Sequence, residues 1–391
     1  MICEESRCTG CGCCAGVCPV QCIAIKENEF GELHPVVDEG RCVSCGLCQQ
    51  SCPANNRPEY RAPRLCFAAW SKDAHQRNTS ASGGLAAAFS AEILEKGGAV
   101  FGVRYGENLT PIHACAKTAE EAETFKGSKY VQSSAGVCFD KARSECESGV
   151  PVLFVGTPCQ VDGLNHFLRK SYDNLITVDL ICHGTPPAAL LRAHLRGRLG
   201  ERAGEVTAVS FRGEDGYRLK AWSEHGILYE RPSAEDPYFL GFMQGLYHRE
   251  CCYQCVYARP ERVTDITIGD FWGLGKETPF PHETEKVSVA LVNTEKGEAF
   301  FESCRGRLEA VPREIGEAVA GNAQLRAPSK GSEGRQAFRE NFLQAGFEKA
   351  FRRSPIFGEW KKMRRLARVS RLAARMPDGL KRTLKRAWKR G

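Results

Sequence analysis

Two runs of cysteine set the chemistry open to this chain. The first is Cys8-x2-Cys11-x2-Cys14-x3-Cys18-Pro19, and the same spacing returns as Cys42-x2-Cys45-x2-Cys48-x3-Cys52-Pro53. Three thiolates on one tight loop reach three irons of a four-iron cube, while the fourth cysteine starts a helix pointing away and serves the other cube. The expected ligand sets are therefore Cys8, Cys11, Cys14 and Cys52 for one [4Fe–4S] cluster, and Cys42, Cys45, Cys48 and Cys18 for a second. Gly10, Gly12 and Gly46 let the backbone pass close to the sulfides and donate N–H groups to them. Zinc ribbons also use Cys-x2-Cys pairs, but they need neither a third cysteine two residues on nor a Cys-Pro beyond it. Cys3, Cys13 and Cys22 fall outside the pattern and are read as bystanders.

The repeated run is that of the bacterial ferredoxins, so residues 1–57 read as a module that moves single electrons. A second concentration of cysteine lies further along. Cys159 stands in Gly156-Thr157-Pro158-Cys159-Gln160 after one strand, and Cys182 in Asp179-Leu180-Ile181-Cys182-His183-Gly184 after another. Arg249-Glu250-Cys251-Cys252-Tyr253-Gln254-Cys255 adds a Cys-x2-Cys. Isolated cysteines are usually small buried hydrophobes, yet strand C-termini are where α/β proteins build their sites. Thr79-Ser80-Ala81-Ser82-Gly83-Gly84 before a helix suits an anion, although a hydroxyl there is usually only a cap. Lys126-Gly127-Ser128-Lys129-Tyr130 adds two lysines and a hydroxyl on a glycine loop.

Taken in order with Asp265-Ile266-Thr267-Ile268-Gly269-Asp270-Phe271-Trp272-Gly273, these segments resemble the coenzyme F420 hydrogenase/dehydrogenase β-subunit family over roughly residues 65–350. The ferredoxin module in front resembles the layout of the electron-input subunit of F420H2 dehydrogenases. The resemblance implies FAD and a third [4Fe–4S] cluster. The FAD phosphates would be held by Ser80, Ser82, Gly83, Gly84, Lys126, Ser128, Lys129 and Tyr130, and the cluster by Cys159, Cys182, Cys252 and Cys255. Cys252 is preferred to Cys251 for its x2 spacing to Cys255. His183 is the one candidate for protonating a substrate, against a structural role for a His next to Gly. No segment identifies an F420-specific site, and the substrate stays open. The resulting expectation is an iron–sulfur flavoprotein oxidoreductase. It would pass electrons between a ferredoxin-type donor or acceptor and an organic two-electron substrate or coenzyme. The alternative is an electron-transfer subunit of a larger complex with no substrate of its own.

The elements that must position these residues read as an α+β chain. Residues 1–57 form the two-[4Fe–4S] ferredoxin-like module, 65–350 a larger mixed α/β flavin-binding domain, and 352–391 a basic amphipathic tail. Leu65–Trp70, Ala99–Tyr105, Val152–Val155, Leu175–Ile181 and Val287–Val292 read as strands. Gly83–Lys96, Ser134–Ser148 and Pro187–Leu199 read as helices stopped by glycine. The net charge of +7 is uneven, since 352–391 carries 15 Lys/Arg against two acids and leaves the remainder near −6. That tail suits an anionic membrane surface or an acidic partner, and nucleic acid is not expected. About half of the 21 cysteines fall in the first 52 residues. With no secretory leader or apolar span, they read as thiols of a reduced cytoplasmic interior, with a peripheral place at the inner membrane face as the tail's alternative. The redox partner is expected to be a protein or a reduced coenzyme.

Overall fold

Val152–Gly156 and Leu175–Leu180 are uncharged but for one aspartate and buried almost throughout, as parallel strands between two helical layers must be. The computed structural model describes residues 1–213 and 216–374. The strands among them, in chain order, are β1 (Ile23–Glu27), β2 (Leu33–Val37), β3 (Leu65–Ser71), β4 (Ala99–Tyr105), β5 (Pro111–Ala116), β6 (Val152–Gly156) and β7 (Leu175–Leu180), then β8 (Ala208–Gly213), β9 (Gly216–Ser223), β10 (Gly226–Pro232), β11 (Ile266–Asp270), β12 (Ser288–Val292) and β13 (Leu308–Pro312). Eight of them make one sheet in the order β13-β3-β12-β11-β7-β6-β4-β5. β4, β6, β7 and β11 run parallel, and β3 shares their direction because β12 is antiparallel to both β3 and β11. The register sets Gly156 opposite Asp179, and Leu180 opposite Ile268. The segments after Gly156, Leu180 and Asp270, and the Ser80–Gly84 loop that follows β3, therefore leave from one edge of the sheet. That edge is where open α/β sheets place their ligands.

Each face of the sheet has its own core. One face packs Phe89, Ile93 and Phe301 against Val178 and Ile268, and the other packs Trp70, Phe271 and Leu325. A second sheet, β10-β9-β8, joins the helices Ala188–Leu199, Pro237–Met243, Arg335–Arg353 and Ile356–Ala374 in a separate aromatic core around Tyr238, Phe239 and Phe347. The expected helix at Ser134–Ser148 begins later, as a tight turn Gly136–Cys138 leading into Phe139–Glu147. Ser134 is instead held extended, donating its N–H to Pro111 and accepting from the His113 N–H beside β5.

The first 57 residues form the β1–β2 hairpin and two four-residue helices, Cys13–Gly16 and Leu47–Gln50. Gly12 (φ 86°) and Gly46 (φ 72°) precede them in the left-handed region, a turn that a side chain would strain. The cysteine loop docks on the larger body: Cys11 and Cys13 share a core with Phe139, Val161, Leu164 and Phe167. The following linker is tied down, with Arg61 pairing with Arg262 through backbone bonds and the Tyr60 hydroxyl donating to Val256 O at 2.8 Å. Along the helix Ile356–Ala374, Ile356 and Trp360 are buried while Leu366 and Val369 face out. Residues 375–391 of the basic tail, with the break at Met376-Pro377-Asp378-Gly379, lie outside the described residues. No described helix is long and apolar enough to cross a membrane.

Candidate iron–sulfur centres

Cys8, Cys11, Cys14 and Cys52 line one cavity, together with Cys3, Cys13 and the backbone of Gly10 and Gly12. Among the described residues, no His, Asp, Glu or Lys lines it. Soft sulfur donors in an apolar shell are the environment of an iron–sulfur cluster. Burial pushes the Cys11 thiol up to about 12, so an ionised sulfur there needs a metal's positive charge beside it. Among the described residues no three His, Cys, Asp or Glu side chains close in on a single-ion position. A cube asks for something else, thiolates spread around a multi-atom core.

The crossed arrangement is visible at the second set too. Cys18, from the first run, lies within electrostatic reach of Cys48, which also faces Cys45. Cys22 touches this set, with its sulfur 3.5 Å from that of Cys18. Cys3 stands likewise beside Cys8 and Cys52 at the first set. Each set thus has a fifth thiol close by, which the ligand spacing offers no reason to place there. Cys13 instead turns away and donates to Ser51 O at 3.2 Å. The Cys8–Cys14 loop faces the interior of the molecule, whereas Cys45 is exposed. The set of Cys8, Cys11, Cys14 and Cys52 is therefore the inner one, and that of Cys18, Cys42, Cys45 and Cys48 the outer.

A third group of thiols gathers where β6 and β7 end. Cys159, Cys182, Cys251, Cys252 and Cys255 line a cavity of about 600 Å³, along with His183, Arg262 and residues 53–58 of the N-terminal segment. Cys159 lies within electrostatic reach of Cys182, Cys251 and Cys255, Cys182 within reach of Cys255, and the Cys251 thiol is beside that of Cys252. Burial pushes the Cys182 thiol up to about 12 and raises that of Cys159 well above its ordinary value. These too would stand as neutral thiols unless a cation lay among them.

Two features hold the group. The helix Pro158–Leu168 carries Cys159 in its first turn, and one turn later Gly163 meets the inner set, where a methyl would lie 2.7 Å from Cys11 Cβ and 2.9 Å from its Sγ. Cys159 and Cys11 are thus separated by a single helical turn of backbone. Arg262, only 2% exposed, donates Nε and Nη2 to Asp179 Oδ2 at 3.1 and 2.8 Å, and Nη1 to Tyr257 O at 2.7 Å. This buried clamp fixes the segment carrying Cys255 against the end of β7 that carries Cys182. Asp179 opens the segment that carries Cys182, but Arg262 belongs to no such segment, and nothing along the chain indicates that the two pair.

The residues expected around flavin phosphates fall elsewhere on the same sheet edge, and none lines the cysteine cavity. Ser82 Oγ accepts from Ser288 Oγ at 3.0 Å, and Gly83 N–H donates to that same Ser288 oxygen at 2.9 Å. Gly84 (φ 83°) precedes the helix Leu85–Glu95, whose first turn has no side-chain cap. Ser80 offers its carbonyl to Lys286 Nζ. Lys129 turns its Nζ inward to donate to the carbonyls of Thr124, Phe125 and Lys126, and the loss of water around it pushes the ammonium down to about 7. It shapes its own loop, next to Ser128, and does not extend into a site. Lys126 pairs with Glu123 at 2.7 Å. The residue that joins these loops is Arg212, which donates to Tyr130 Oη at 2.9 Å, to Ala81 O at 2.7 Å and to both carboxylate oxygens of Asp270. Tyr217 lies under that guanidinium and stacks on the half-exposed Trp272. His183 lines the cysteine cavity with its ring against Phe242 and His248.

Residues 150–314 match the family model for the C terminus of the coenzyme F420 hydrogenase/dehydrogenase β-subunit, and residues 7–56 match a 4Fe–4S dicluster domain. Over residues 150–314 the chain is thus similar to the F420 hydrogenase/dehydrogenase β-subunit family. It reads as an iron–sulfur electron-transfer protein related to that β-subunit, with the dicluster domain in front. No curated protein matches the chain. A chain of the xenon-derivatised F420-reducing [NiFe] hydrogenase complex from Methanosarcina barkeri aligns over 75% of this chain and 92% of its own, at 18% identity and a TM-score of 0.46.

Proposed function

We propose that this protein is an iron–sulfur flavoprotein oxidoreductase. It passes electrons between a ferredoxin-type donor or acceptor and an organic two-electron substrate or coenzyme through FAD. The carrying observation is the line of thiol sets: outer Cys45 is exposed, inner Cys11 is buried, and Cys159 stands one helical turn beyond, at the ligand-binding edge of the sheet. A carrier alone needs only the two sets of the N-terminal segment. The third set would be held by Cys159, Cys182, Cys255 and Cys251, the last taking the place that spacing assigned to Cys252. Support for Cys251 is its place within electrostatic reach of both Cys159 and Cys255, with Cys252 beside it in the same cavity.

Flavin, when bound, supplies exchange between hydride and single-electron chemistry. Its place would be beside Asp270 and Trp272, which follow the strand paired with the one leading to Cys182. There Arg212 brings a positive charge, Trp272 and Tyr217 an aromatic wall, and the uncapped helix after Gly84 free N–H groups for an anion. His183 stays the candidate proton donor on the cysteine side, and the substrate is a redox protein or reduced coenzyme. Contact with a partner protein or an anionic surface through 352–391 belongs to the same proposal. Its support is the exposed Leu366 and Val369 among arginines and lysines.

Anaerobic purification with flavin, iron and sulfide analysis tests the reading. Bound FAD and about twelve irons per chain, four for each of three clusters, are expected. About eight irons without flavin would replace it with the carrier alternative. Cys251→Ser is expected to lower the content by about four irons while Cys252→Ser leaves it unchanged. The opposite result would return the fourth position to Cys252.

A further inference from the structure

Arg249 is 2% exposed, among the least accessible charged groups described, and it opens the segment that carries Cys251, Cys252 and Cys255. Its guanidinium lies across the seam between the N-terminal segment and the larger body. Nη1 donates to Gln132 Oε1 at 2.8 Å, and Nη2 donates to the carbonyl of Cys8 at 2.9 Å, with His34 Nε2 at 3.4 Å. Nε has no partner among the described residues. Two residues on in the chain is Cys251, whose thiol the same guanidinium faces. One buried positive charge therefore touches the first loop of the inner thiol set and the segment that supplies the third. The carboxylate facing it is Glu32, which Arg249 shares with Arg339 at 2.9 Å, with Asn28 and with His34.

We propose that Arg249 is a positioning residue shared by the inner and third clusters, holding both reduction potentials up with one charge. The inference rests on the three-cluster reading above. Reduction adds one electron to a cluster and breaks no bond, so the reduced form carries one more negative charge. A fixed cation in a water-poor setting favours that form. Because the cation is common to both sites, its loss lowers both potentials together and leaves the outer set of Cys18, Cys42, Cys45 and Cys48 untouched. Buried structural arginines that only tie segments together have no such signature.

The test is a dithionite redox titration of the anaerobically purified full-length chain, followed by electron paramagnetic resonance. Arg249→Gln is expected to shift the inner and third signals to more negative potential without moving the outer one, and Arg249→Lys is expected to restore most of the shift. If the neutral variant fails to load iron, Gln132→Glu carries the test by setting a carboxylate against Nη1 and cancelling the charge in place. An iron-replete variant in which only one signal moves, or none, overturns the proposal. Failure of the three-cluster reading itself is seen separately, as about eight irons in the unsubstituted protein before any variant is made.

Discussion

Asp179→Asn is expected to lower stability by about 3–5 kcal/mol, because removing one partner leaves a buried charge uncompensated. The carboxylate is fully buried and Arg262 nearly so. Arg262 also holds the carbonyls of Tyr257 and Arg259, so the substitution leaves the guanidinium bound to the Cys255 segment and tied to β7 only through the Leu180 carbonyl at 3.3 Å. The third thiol set should therefore lose its iron while the inner and outer sets keep theirs. Chemical unfolding and iron analysis of the same preparation check both halves. The double variant Asp179→Leu with Arg262→Met sharpens the case. Apolar replacement of a whole buried pair is often neutral for stability, so stability should largely return. The iron should not, because the side-chain clamp that sets Cys255 over Cys182 is then gone. If the double variant is as unstable as the single one, the two residues do not act as a pair.

Gly163→Ala sets two effects of opposite sign against each other. Alanine is the better helix former by about 1 kcal/mol, and Gly163 lies inside the helix Pro158–Leu168. Propensity alone predicts stabilisation. Packing predicts the reverse, because the added methyl would stand 2.7 Å from Cys11 Cβ and 2.9 Å from its sulfur. Overpacking costs about 1–3 kcal/mol, and a sulfur bound to a cluster cannot swing aside. The variant is expected to be less stable, with the inner cluster signal reduced and the outer one intact. Gly136→Ala is its companion at the same seam, since its methyl would meet Gly12 Cα at 2.7 Å and Cys11 O at 3.1 Å, both backbone atoms that no rotamer change can clear. A more stable protein with an unchanged inner signal in both variants would remove the seam as a close-packed contact.

The local elements of this protein are largely legible in its residues, and their long-range partners are not. Period and composition locate β3, β4, β6, β7 and β12, because each is a short apolar run bounded by polar turns. The antiparallel three-stranded sheet leaves no such mark: Tyr217-Arg218-Leu219-Lys220-Ala221 carries charges on a half-exposed face and makes no apolar run. The cysteine spacing points to the crossed ligand sets because that geometry is local to two loops. It favours Cys252 over Cys251 by the x2 spacing to Cys255, but the two are adjacent in the chain, and spacing does not record the direction each side chain takes from one short turn of helix. Arg212, Arg249 and Arg262 are invisible for a related reason. Each is a single arginine with a partner 58 to 241 positions away, and no periodicity records such a pairing. Lys129 shows the converse, since a lysine on a glycine loop reads as an anion ligand until its three carbonyl partners are seen.

The seam that buries Cys11 also bears on how a chain made without iron would be repaired. Cys11 packs against Gly163, and Gly12 beside it against Gly136, while Cys45 of the outer set is exposed. Reconstitution of the iron-free chain with ferrous iron and sulfide is therefore expected to fill the outer set faster than the inner one, an order that iron analysis over time would read.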